Sequence, residues 1–187
     1  MQCERNLKTA RNLVGLNKHM DKITLDRIKL MHPSLRDKLL EDYTAANNVL
    51  GKGVRLRLSY TLRTFAEQDA LFLKRPKVTN AKAGQSYHNY GAAFDIVLLY
   101  DKNGDGIFEE ASWDTKRDGD RDGVSDWLEV TRVFESRGWV NGFITNGKKW
   151  DLPHFQIKGL PHWKVLLSRY NAEKNNLVEG KYIKSIY

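Results

Sequence analysis

The sequence predicts an α+β fold, a small antiparallel sheet flanked by helices with a polar loop inserted into it, and three observations carry that prediction. Residues 54–62, "VRLRLSYTL", alternate apolar and polar side chains as a half-buried strand does, while 93–100, "AFDIVLLY", make an apolar run broken by one acid. Around these strands, apolar residues recur at helical spacing. From Asp101 to Asp126 the composition then shifts to Asp, Gly, Asn and Lys, which marks a polar insertion.

In chain order, Leu25 to about Leu50 is helical in pattern. Pro33 divides it into a short lead-in and a longer helix from about Ser34, because proline brings no N–H and clashes with the preceding turn. The turn "GKG" leads into the first strand, and "RTFAEQDALFLKR" (63–75) reads as a helix capped near Thr64. After the insertion, Ser125 to about Arg137 reads as a helix, and Trp139–Thr145 and Lys149–Gln156 as strands. "LPHWKVLLSRY" (160–170) makes a final helix ahead of a polar tail. No repeat or low-complexity linker appears. One domain over residues 1–187 is expected, with an inserted loop region at 101–129 and no separate cell-wall-binding module.

A chain of 187 residues can bury a real core, and 41% apolar with 11% aromatic residues favours folding over disorder. The formal net charge of +8 suits polyanionic surroundings: nucleic acid, anionic membrane or a cell-wall polymer. No Lys/Arg stripe with interleaved aromatics marks a nucleic-acid groove. Cys3 is the one cysteine, so an intramolecular disulfide and a cysteine-rich zinc site are both excluded, and any metal must be held by His, Asp or Glu. Residues 1–20 are charged and lack the apolar centre of a signal peptide, and no run approaches a membrane span. Synthesis in the cytoplasm is expected, with release by another protein if the chain acts outside.

The chemistry centres on "SYHNYGAAFDI" (86–96). His88 and Asp95 stand seven positions apart, and Gly91 allows a sharp bend between them. A hydrolytic zinc site needs three protein ligands and one open position for water, and compact nitrogen and oxygen donors supply them. His88 and Asp95 can provide two, and His154 in "KKWDLPHFQI" is the best third. Asp151, three residues upstream, is placed to act as general base and then as acid toward the leaving amine. The other histidines have plainer readings. His32, in "MHP", suits packing or capping, His19 is solvated among polar neighbours, and His162, in "LPHW", lies close enough in sequence to His154 to line the cleft.

The residues resemble a known family. "SYHNYGAAFD" matches S-x-H-x-x-G-x-A-x-D and "DLPHF" matches acid-x-x-H of the LAS-type zinc peptidases, which include D-Ala-D-Ala dipeptidases and carboxypeptidases and phage L-alanyl-D-glutamate endopeptidases. "MHPSLRDKLL", "LRTFAEQDAL" and "VTNAKAGQSYH" extend the resemblance over roughly Leu30 to Trp163 and look most like the phage branch. It implies a LAS/hedgehog-like peptidase fold, Zn2+ on His88, Asp95 and His154, Asp151 as acid/base, and Arg63 polarising the scissile carbonyl. A guanidinium at a strand end beside zinc suits that task, since charge develops on the oxygen in the transition state. Gln68 and Ser86 match polar positions that line the cleft; each also suits a plain role, on the helix surface and in the turn respectively.

"DGDRDGVSDWLE" fits the calcium-loop pattern D-x-[DN]-x-[DN]-G-x5-E without a mismatch. Asp118, Asp120, Asp122, the Val124 carbonyl, Asp126 and Glu129 supply hard oxygens for Ca2+, and an isolated loop is expected because no entering helix precedes it. "DKNGDG" repeats the opening with Asp101, Asn103 and Asp105, but Ser112 takes its twelfth place, so it reads as a weaker site or as a hairpin. Calcium-responsive phage members of the resembled family suggest that calcium raises activity or stability.

The expected function is cleavage of the peptidoglycan stem peptide between L-alanine and D-glutamate by a phage endolysin, a monomer that inserts in no membrane and is freed by a holin-type partner. A D-Ala-D-Ala carboxypeptidase or dipeptidase is the alternative within the family, and a non-catalytic cell-wall-binding protein the alternative of another class.

Overall fold

The computed structural model describes residues 21–187; the readings on Cys3, His19 and the N-terminal segment lie outside the described residues. Helices α1 (Lys22–Lys29) and α2 (Arg36–Asn48) flank a 3-10 turn at Pro33–Leu35. Strand β1 (Val54–Tyr60) follows, then α3 (Phe65–Leu73), β2 (Ala93–Tyr100), β3 (Glu110–Ser112), α4 (Asp126–Ser136), β4 (Trp139–Thr145), β5 (Lys148–Ile157) and α5 (Trp163–Glu173). This is the expected mixture of helices around a small antiparallel sheet.

The sheet runs β1-β2-β5-β4, and β3 pairs with the far end of β2. Short β3 lies inside the polar insertion and has no apolar alternation to announce it. Strand β2 pairs with β1 along most of its length, with β5 over Ala93–Asp95, and with β3 over Leu98–Tyr100. It is therefore interior, and its residues are buried on both faces except Asp95.

Local chemistry sets the element ends. The Asp21 side chain accepts from Thr24 N–H at 3.1 Å to open α1, and Thr64 with Glu67 forms a reciprocal capping box that opens α3. Beside Pro33 the His32 Nδ1 accepts from Ser34 N–H at 3.3 Å, while its Nε2–H donates to Ile183 O at 2.9 Å. Phe94, Phe134, Trp139 and Phe155 form an aromatic centre with ring centroids 4.8 to 5.4 Å apart.

The tail carries more than polar residues. Tyr182, Ile183 and Ile186 are buried, and the Tyr182 hydroxyl donates to Leu30 O at 3.2 Å, so the chain end closes the core beside α1. Among the described residues no helix is long and apolar enough to cross a membrane.

Candidate metal centre and active-site cleft

His88 arrives on a 3-10 turn, Tyr87–Tyr90, which Gly91 ends at φ +64°. A Cβ on Gly91 would lie 2.6 Å from His32 N, so this reversal into β2 requires glycine for both conformation and space. Asp95, the third residue of β2, faces His154 directly across the β2–β5 pair. The donor atoms consequently converge. His88 Nε2 lies 3.1 Å from His154 Nδ1, and Asp95 Oδ1 lies 3.2 and 3.3 Å from those two nitrogens.

Those separations match a zinc site. Tetrahedral bonds of about 2.0–2.1 Å place neighbouring donors about 3.3–3.4 Å apart. The outer contacts agree, because His88 Nδ1–H donates to Thr61 O at 2.6 Å and His154 Nε2–H donates to Gln156 Oε1 at 3.2 Å. With those outer partners each ring can turn its other nitrogen, as a lone pair, to a cation at the centre. Burial would push the Asp95 carboxyl up, but the pull of His88 and His154 holds it well below the usual carboxylate range.

These donors open on a cleft of about 490 Å³ that Arg63, Ser86 and Asp151 also line. Asp151 has φ +55°, a left-handed backbone that few non-glycine residues adopt. Burial pushes its carboxyl up, as does Asp95, against the pull of His154, His88 and Arg63. Arg63 Nη1 donates to Gln68 Oε1 at 3.0 Å, its Nη2 lies 3.9 Å from Asp95 Oδ2, and its guanidinium sits 4.7 Å from the Tyr60 ring centre. Gln68 is fully buried behind Arg63 and donates to Ala81 O at 2.7 Å, so it supports the arginine from outside the cleft wall. Ser86 both lines the cleft and starts the turn, its N–H donating to Asn89 Oδ1 at 3.4 Å. His162 caps α5 by accepting from Lys164 N–H at 3.3 Å, and it is the adjacent Trp163 that reaches the cleft.

Sequence reasoning missed Phe143, whose ring stacks on His154 at 4.7 Å, and Gln156. Strand alternation could have found Gln156, since residues two apart share a face.

In the insertion, Asp118, Asp120 and Asp122 bring donor atoms within 4.8 Å of one another, as do Asp120, Asp126 and Glu129. Asp126 is buried, and its Oδ2 accepts from the Tyr100 hydroxyl and Gly119 N–H, both at 2.8 Å. Its Oδ1 and Glu129 Oε2 are buried without a hydrogen-bond partner among the described residues. Asp120 Oδ2 accepts from Gly51 N–H at 2.8 Å, which ties the loop to the α2–β1 turn, and Val124 N–H donates to Asp122 Oδ1 at 2.8 Å. Burial, then the charges of Asp122, Asp120, Asp126 and Asp118, push the Glu129 carboxyl up to about 7. At the other loop, Asp101 accepts from Gly104 and Gly106 N–H at 2.8 Å, and Asn103 Nδ2 donates to Asp105 Oδ2 at 2.9 Å.

Two imidazoles and a carboxylate gathered beside the β2–β5 pair, with an acid and an arginine in the same cleft, define the class of metal-dependent hydrolases. Residues 79–157 match the family described as D-alanyl-D-alanine carboxypeptidase. Over 132 residues, 68% of this chain and 73% of the relative, the sequence is 36% identical to the peptidoglycan L-alanyl-D-glutamate endopeptidase CwlK of Bacillus subtilis (strain 168). The chain belongs to the D-alanyl-D-alanine carboxypeptidase family of LAS-type peptidases, and it is a metallopeptidase.

Gln156 supplies the prediction. Replacing it with leucine frees the His154 ring to rotate, and zinc affinity is expected to fall roughly 10- to 100-fold. A competition titration against a chromophoric chelator measures this; unchanged affinity would show that Gln156 does not set the ring.

Proposed function

We propose that the protein is a zinc-dependent endopeptidase that cleaves the peptidoglycan stem peptide between L-alanine and D-glutamate, acting as a phage endolysin. The observation that carries this reading is the convergence of His88, Asp95 and His154 within 3.3 Å beside Asp151 and Arg63. Likeness to CwlK, whose name states that bond, favours the endopeptidase over a carboxypeptidase. The net charge of +8 suits an anionic wall, and a holin-type pore is the partner that would admit the enzyme to it.

Zinc bound by the three ligands would supply Lewis acidity at the scissile carbonyl and an activated water near neutral pH. The chain's own groups do the rest. Asp151, on the cleft wall, takes the proton of the attacking water and returns it to the departing nitrogen. Arg63, fixed by Gln68 and the Tyr60 face, points its charge toward the oxygen that becomes negative, and it needs no reorganisation to do so. His88 and Asp95 are held by β2 and its turn, His154 by β5, so the three ligands move only with the sheet.

Asp151→Ala is expected to keep zinc and fold while losing about 100-fold or more in turnover. Mass spectrometry of digested muropeptides reads the bond. New N-terminal D-glutamyl peptides support the proposal, and released D-alanine would replace it with the carboxypeptidase. Wall binding without either product would replace it with the binding protein.

We also propose that the loop carrying Asp118, Asp120, Asp122, Val124, Asp126 and Glu129 takes up calcium. The support is the pair of buried carboxylate oxygens, Asp126 Oδ1 and Glu129 Oε2, that have no hydrogen-bond partner among the described residues. Without the ion, the folded chain keeps the Glu129 proton up to about pH 7, whereas the unfolded chain releases it near 4.5. The folded state binds more protons in that window, so stability is present below it and is lost as pH rises through 7. Melting temperature in chelator is therefore expected to fall from pH 5 to pH 8, and calcium to abolish the fall. A flat profile in chelator, or none of this recovery with calcium, would contradict the site.

A further inference from the structure

We propose that Asn141 is a positioning residue of the active site: its side-chain amide holds the bulge that aims Asp151 and His154 into the cleft. The inference rests on the roles given to Asp151 and His154 above. Strands β4 and β5 pair at Asn141 with Phe155 and again at Phe143 with Trp150. Between those pairs β4 contains only Gly142, whereas β5 contains Asp151, Leu152, Pro153 and His154. The longer strand must bow outward, and bulges of this kind re-aim side chains beside active sites.

The bow also breaks the ladder. Pro153 has no N–H, and the carbonyls around it need donors that a single opposing glycine cannot supply. Asn141 supplies them from its side chain. Its Nδ2 donates to Leu152 O at 2.6 Å and to His154 O at 3.1 Å, and the residue is 4% exposed. One amide thus grips the chain on both sides of Pro153, between the general base and the metal ligand.

Gly142 shows how tightly the strands close at the start of the bulge. Its φ is +61°, and a Cβ there would lie 2.6 Å from Trp150 O and 3.3 Å from Asp151 O. Asp151 in turn holds φ +55°, a conformation that persists only when the surroundings impose it. From the β4 side those surroundings are Asn141 and Gly142. Removing the amide leaves His88 and Asp95 on their own elements and loosens the segment that carries Asp151 and His154.

The test compares Asn141→Ala, which removes both donors, Asn141→Ser, which keeps one, and Asn141→Asp, which turns the same shape into an acceptor facing two carbonyls. Each is measured for melting temperature, zinc affinity by competition titration, and kcat and KM on purified muropeptide. The alanine chain is expected to bind zinc about 10-fold more weakly and to lose about 100-fold in kcat, with KM held within about threefold. Serine is expected to recover part of both losses, and aspartate to fall below alanine. Parent-like zinc affinity and kcat in the alanine chain, or an aspartate chain equal to the parent, would overturn the proposal. Were the aspartate chain not to fold, the alanine and serine chains decide it. A parent that binds zinc but hydrolyses no muropeptide would overturn the function, and the zinc-affinity ranking would then decide the role of Asn141.

Discussion

The short antiparallel pairing between β2 and β5 is the constraint on which the rest depends. It aligns Ala93 with Gln156, Phe94 with Phe155, and Asp95 with His154. Side chains alternate along a strand, so this one register sends Phe94 and Phe155 into the aromatic core and Asp95 and His154 to the opposite face. The two rings stack with centroids 5.4 Å apart, fully buried. A slip by one residue would exchange these faces, placing a carboxylate among aromatics and a phenyl ring in the cleft. Apolar packing therefore maintains the polar geometry.

That geometry concentrates unfavourable features. Two inward ring nitrogens, a left-handed Asp151 and an arginine lie around one cleft. Each is held from behind by a group of ordinary chemistry: Thr61 and Gln156 on the imidazoles, Gln68 and Tyr60 on Arg63, and Asn141 on the bulge. Preorganisation of this kind is what electrostatic catalysis requires, because groups already fixed need not reorient as charge develops. The acidic insertion repeats the same logic at a distance, with Tyr100, Gly51 and Gly119 restraining its carboxylates.

Much of this was legible in the sequence because period and punctuation were local. The alternation of "VRLRLSYTL", the apolar run around Asp95, the break at Pro33 and the cap at Thr64 each report on neighbours in the chain. The gathering of His88, Asp95 and His154, with Asp151 in the same cleft, was legible from their residue types and from the motifs of the family they resemble. The hidden part depends on contacts distant in sequence. Tyr182, Ile183 and Ile186 are too sparse to show a helical or strand period, yet they pack beside α1. Nothing in "WVNGF" announces that Asn141 bonds to carbonyls in β5, since the need arises only once four residues face one. Gln68 shows the same limit, matched as a cleft position but folded beneath Arg63.

X-ray absorption at the zinc edge of protein purified without added metal reads the ligand shell that His88, Asp95 and His154 would form. One zinc per chain is expected, surrounded by two imidazoles and further oxygen ligands at about 2.0–2.1 Å, with no sulfur. A metal-free protein that still hydrolyses its substrate, or a zinc shell without two imidazoles, would contradict it.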